Sequence, residues 1–153
     1  MSEQTKAIVR LLEALSILVI IASVAVIGVP KYADLKRRDQ AARVIADVDV
    51  VRAAVYAFYS DSAYFPAESP TEVIPDPLVP YLPRGFSAVR SYGTLAYKNW
   101  PVKAAQQDTA ASKVIGATVT TRDPRVGATA AALFPTLARF SVGNKFTFVF
   151  FGS

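Results

Sequence analysis

Glu13 is the only ionisable side chain between Leu11 and Pro30, in the run LLEALSILVIIASVAVIGVP. A helix of this length and apolarity can cross a bilayer, whose hydrocarbon core is spanned by about 20 such residues. A carboxylate inside it costs roughly 2.5–3.5 kcal/mol even on permissive insertion scales, so Glu13 calls for a compensating contact. Three arrangements supply one: a cationic partner, an interfacial position, or association with other helices that neutralise the acid. Arg10 stands three residues earlier on the same helical face and is placed to pair with Glu13 inside one chain.

The remaining side chains exclude much chemistry. With no cysteine and no histidine, Ser-His and Cys-His nucleophile systems and nearly all zinc sites are ruled out. Asp and Glu are nowhere concentrated in the polar company that acid-base catalysis needs, so no catalytic residue and no enzyme activity is expected. After residue 100 the only carboxylates are Asp108 and Asp123, too few for a calcium shell of six to eight oxygens, and neither a metal nor a cofactor is expected. The net charge of +5 and pI near 9.6 come from scattered basic residues, apart from Lys31, Lys36, Arg37, Arg38 and Arg43. That cluster directly follows the apolar run and reads as a juxtamembrane or helix-face feature; no specific nucleic-acid partner is predicted.

These residues must be positioned by a long helix. Val44, Val48, Val51, Val55, Phe58 and Tyr59 recur every three or four residues, with Ala41 and Ile45 alongside, while Arg43, Asp47, Asp49 and Arg52 fall largely on other faces. The spacing predicts one helix from about residue 8 to about residue 60, apolar all round in its first half, amphipathic in its second, and gently bent near Gly28 and Pro30. Ser16 and Ser23 are expected to bond back to carbonyls of the preceding turn. The aromatic stretch from Tyr56 to Phe65 is expected to cover a core.

Six prolines between Pro66 and Pro83 predict an irregular surface loop. Residues 91–100, 112–121 and 144–153 are β-branched and aromatic with alternation, and read as strands of an antiparallel sheet of three or four strands. TRDPRVG reads as a turn, and residues 128–138 as a short helical turn ended near Pro135. The fold class is therefore α+β: a long N-terminal helix packed on a small C-terminal antiparallel sheet. Its divisions are a leader-like segment at 1–8, an apolar helix at 9–30, an amphipathic half at 31–60, a proline-rich loop at 61–90 and a sheet head at 91–153.

Glu13 and Pro30, 17 residues apart, Tyr32 two residues later, and Tyr64-Phe65-Pro66 closing the long helix together resemble type IV pilins and the pseudopilins of type II secretion. The likeness is strongest over residues 8–60 and architectural beyond them. It implies a structural subunit whose apolar helices pack into the core of a pilus-like or pseudopilus filament, with Glu13 neutralised there by a neighbour's freed amino group and the sheet outermost. Gly28 and Pro30 would loosen the helix where it leaves the packed core. The alternative is a single-pass membrane-anchored interaction protein, or a minor pilin that does not form filaments alone.

The resemblance also implies membrane lipid as surroundings before assembly, and copies of itself, inner-membrane assembly machinery and a prepilin peptidase as partners. Cleavage is expected after Ala7, although the family usually has Gly before the cut and an aromatic after it, whereas Ile8 and Val9 follow here. The absence of cysteine leans toward a pseudopilin or an uncommon pilin, since many adhesive pilins close a C-terminal loop with a disulfide. Positive charge is heavier after the apolar run than before it, where only Lys6 and Arg10 stand, so the positive-inside rule alone would keep the head cytoplasmic. The resemblance implies the opposite: inner membrane first, then an extracellular or periplasmic filament.

Overall fold

The computed structural model describes residues 3–69, 73–102, 112–134 and 139–152. The chain divides into two compact units, Met1–Lys36 and Arg37–Ser153. Helix α1, Glu3–Ser62, begins in the first unit and ends in the second. It starts earlier than the apolar pattern predicts, because Glu, Gln, Lys and Ala in its opening turns are strong helix formers. Helical structure is unbroken through Gly28 and Pro30. At the far end Ala63 takes a left-handed φ of 61°, a conformation usually reserved for glycine, and its N–H bonds the Tyr59 carbonyl at 2.8 Å to close the last turn.

In the second unit five strands form one antiparallel sheet in the order β1-β2-β3-β5-β4: β1 Val89–Arg90, β2 Gly93–Val102, β3 Ser112–Thr121, β4 Arg139–Val142 and β5 Lys145–Gly152. The three long strands match the predicted runs. The sheet exceeds the three or four strands expected because β1 and β4 are two and four residues long, too short for alternation to reveal. Gly93, with φ of 149°, opens β2, and a Cβ there would lie 1.8 Å from the Thr120 carbonyl oxygen of the paired strand.

Two other expectations are corrected. The Asp-Pro of TRDPRVG begins helix α2, Pro124–Leu133, rather than forming only a turn: Asp123 accepts a bond from the Arg125 N–H at 2.9 Å, and Pro124 sits in the first turn, where its missing N–H costs nothing. Pro135, predicted to end this helix, lies outside the described residues. Within the proline-rich segment Asp76–Tyr81 forms a 3-10 helix that sends Leu78 into the core, so the segment is part of the packing and not merely a surface crossing. A 3-10 helix of six residues, two turns, tolerates Pro77 and Pro80 because it needs few N–H donors.

The core lies between α1 and one sheet face. Val44, Val48, Val51 and Val55 are buried, with Ala41 and Phe58, against Leu95, Tyr97, Ile115, Val119 and Phe148. Tyr59, placed by periodicity in the same stripe, is instead 43% exposed and stacks on Phe65 at 4.4 Å; Phe58 takes the buried position. Of the Tyr56–Phe65 aromatics expected to cover the core, Tyr56 and Tyr64 are likewise exposed. The Tyr97 hydroxyl donates to the Pro66 carbonyl at 3.0 Å, and burial pushes this phenol's pKa up. Helix α2 adds Val126 and Ala130 and comes so close at Gly127 that a Cβ there would meet the Phe146 ring at 2.0 Å.

Candidate functional site

The first unit contains the segment the sequence singles out. From Ile8 to Leu35 every Leu, Ile and Val of α1 is exposed, on all sides of the helix. The segment is long and apolar enough to cross a membrane, with a mean hydropathy of 2.6 over its most apolar window. Exposure of this kind is not a stable end state in water, since each large aliphatic side chain left uncovered forfeits roughly 1.5–3 kcal/mol of burial.

Between Leu11 and Pro30 the described polar side chains other than Glu13 are satisfied locally. The Ser16 hydroxyl donates to the Glu13 carbonyl at 2.8 Å and the Ser23 hydroxyl to the Val19 carbonyl at 2.7 Å, as expected, so neither presents an unmet donor to an apolar environment. The Glu13 carboxylate is exposed, and among the described residues no ion pair joins it to Arg10. The one near-terminal pair links Lys6 and Glu3 at 3.6 Å. The acid therefore remains open to a partner from outside the chain. Ala7, Ile8 and Val9 lie exposed in the N-terminal turns of α1. Gly28 and Pro30 are exposed too, and a Cβ added at Gly28 would have nothing within 4 Å. No contact with another described element requires glycine there.

The second unit carries a polar constellation that periodicity missed. Asp47, only 16% exposed, accepts from Arg90 Nη2 at 3.0 Å and from the Tyr92 hydroxyl at 2.8 Å, tying α1 to β1 and the turn before β2. Burial, and next the bond to Asp47, push the Tyr92 phenol far above its ordinary pKa. Arg90 also lies 4.9 Å from the Phe86 ring centroid, and its buried Nε has no partner among the described residues. An open cleft of about 450 Å³ adjoins the cluster, lined by Arg43, Asp47, Val89, Arg90 and Tyr92. The expectation that Asp47 falls on another face is corrected: it stands three residues after Val44 and four before Val51, at the edge of the buried stripe, and that spacing was the signal in the sequence.

The group holds no nucleophile paired with a base, and it ties elements together. Among the described residues there is no cluster of three or more metal-ligating side chains. Asp123 caps α2, and Asp108 lies outside the described residues. Comparison with protein-family models, curated proteins and solved structures finds no match to this chain.

Proposed function

We propose that the chain is a structural subunit of a pilin-like filament, either a type IV pilus or a pseudopilus, built by packing of its apolar N-terminal segments. One observation carries the reading: a segment apolar on every face holds a carboxylate that pairs with no cation among the described residues of its own chain. In lipid alone that acid is a liability of about 2.5–3.5 kcal/mol. Between copies it becomes a registering device, because staggers that leave the acid unpaired in a water-poor bundle are penalised while the stagger that meets a cation is favoured. Gly28 supports the same reading, since a position without a side chain, open on the described surface of its own chain, permits close approach of a neighbouring helix.

Before assembly the segment would span the inner membrane, with the head carried outward to a periplasmic or extracellular filament. Its partners would be further copies, the assembly machinery and a peptidase acting after Ala7. Glu13→Ala tests the role of the acid. Sheared filament yield, measured by electron microscopy and gel, is expected to fall by at least about tenfold, while membrane content and head melting stay unchanged. Undiminished yield would remove Glu13 from assembly. Solitary wild-type molecules embedded in lipid, with no fibre, would favour the membrane-anchored interaction protein instead.

A further inference from the structure

Among the described residues of the second unit, cations without a carboxylate partner gather toward one end. The Asp47–Arg90–Tyr92 tie fixes the first buried turns of α1 beside the start of β2. There the Arg122 N–H bonds the Tyr92 carbonyl at 2.8 Å and the Thr121 N–H bonds the Asn144 carbonyl at 2.9 Å, so the β1–β2, β3–α2 and β4–β5 connections gather at this end. They bring Arg122, Arg125 and Lys145 to the end where Arg38 and Arg43 stand on α1, all exposed.

The carboxylates present are already engaged: Asp39 pairs with Arg43 at 3.1 Å, Asp47 with Arg90, and Asp123 caps α2. Arg38, Arg122, Arg125 and Lys145 have no carboxylate partner among the described residues. Among the described residues the opposite end, where the Tyr56 hydroxyl donates to the Phe150 carbonyl and Phe65 meets Phe151, carries Asp61 and Glu68; of its lysines, Lys98 is paired with Glu68, and Lys113 stands on β3 near the same end.

We infer that this cationic end is a docking surface for anionic lipid headgroups, used while the subunit resides in the bilayer. Chain connectivity selects the occupant. Arg37 follows Lys36 directly, so the cationic end of the head is the end tethered to the segment apolar enough to cross a membrane. Tethering keeps the local concentration of lipid phosphate high, and each Lys or Arg close to an anionic surface then contributes roughly a fivefold bias toward it. Guanidinium groups add bidentate hydrogen bonding to phosphate oxygens. The headgroup layer would hold the head down until assembly replaces lipid with protein neighbours.

This inference rests on membrane insertion of the apolar segment, which flotation of the reconstituted protein checks separately. Because the chain has no cysteine, Ser91→Cys at the cationic end and Lys113→Cys on β3 near the other end each provide one dye position on the full-length protein. Energy transfer to headgroup-labelled lipid is measured in phosphatidylcholine vesicles and in vesicles containing roughly 30% phosphatidylglycerol. Transfer from position 91 is expected to rise at least about twofold with the anionic lipid, to fall back in about 0.5 M salt, and to be lost in Arg122→Gln/Arg125→Gln with unchanged melting. Transfer from position 113 should not rise. Equal transfer in both vesicle types, with flotation intact, would overturn the docking surface and leave insertion standing. Failure of flotation would remove the insertion reading and this inference with it. Retention of an oligonucleotide that depends on Arg122 and Arg125, without any lipid response, would reassign the face to nucleic acid and equally overturn the inference.

Discussion

Helix α1 behaves as two materials joined by one backbone. Through Lys36 none of its described side chains is buried; beyond Arg37 the same helix buries seven, Ala41, Val44, Val48, Val51, Ala54, Val55 and Phe58. Both stretches are helical, so propensity does not distinguish them. Their residue pattern does: aliphatic side chains on every face in the first, and in the second a stripe of buried valines, Val44, Val48, Val51 and Val55, on one face. A stripe is satisfied by a sheet from the same chain, whereas a helix apolar all round can be covered only by lipid or by other helices.

The sharpest way to break this comparison is to make one chemical change in both stretches. Val51→Asp puts an unpaired charge into the core and should destabilise the head by about 4 kcal/mol or more, abolishing its cooperative denaturant transition, read by Trp100 fluorescence of the full chain in detergent. Val19→Asp should leave that transition where it is and instead weaken bilayer insertion by about 2.5–3.5 kcal/mol. A lowered head midpoint in Val19→Asp would show that the two stretches share their stability.

A pair of glycines sharpens the contrast on a smaller scale. Gly127→Ala should cost about 1–3 kcal/mol in the same denaturation assay, because the added methyl enters the Phe146 ring and the core must shift to admit it. Gly28→Ala meets no atom of its own chain. It should leave the head untouched and raise helicity measured by circular dichroism, by up to about 1 kcal/mol of helix propensity, while the proposed filament packing would suffer.

The polar tie is the next point of leverage. Asp47→Asn should lower head stability by about 1–3 kcal/mol, since it leaves the half-buried Arg90 guanidinium without its counter-charge. Tyr92 and Tyr97 are both raised in the folded state, by burial first. Their contribution is therefore complete below the unfolded phenol value near 10, and is lost as the pH rises above it because the unfolded chain releases these protons first. Denaturation midpoints should fall above about pH 10, and Tyr92→Phe should make that fall shallower. An unchanged alkaline slope would show that Tyr92 is not protected.

Much of this architecture was legible in periodicity. The long helix, its change of character, three strands and the valine stripe follow from side-chain spacing, because hydrophobic burial imposes a period of 3.6 or 2 on any element with one covered face. Short elements were not legible. Two-residue β1 and four-residue β4 exist only because β2 and β5 are there to pair with them. Asp-Pro at 123–124 serves equally as a turn and as a helix start, and only the packing of Val126 and Gly127 against Phe146 decides between them. Tyr59 and Phe58 are adjacent, and the choice of which one is buried belongs to the local fit against Tyr64, Phe65 and Tyr81.

By itself the sequence determined that an apolar segment with a lone carboxylate precedes an α+β head, since composition and period are local properties that need no partner to be read. Tertiary structure decided that Asp47 is held by Arg90 and Tyr92, and that Arg122, Arg125 and Lys145 share one end of the head with Arg43. Those groupings join residues far apart in the chain, and they arise only when strand register and helix packing fold separate connections onto the same side.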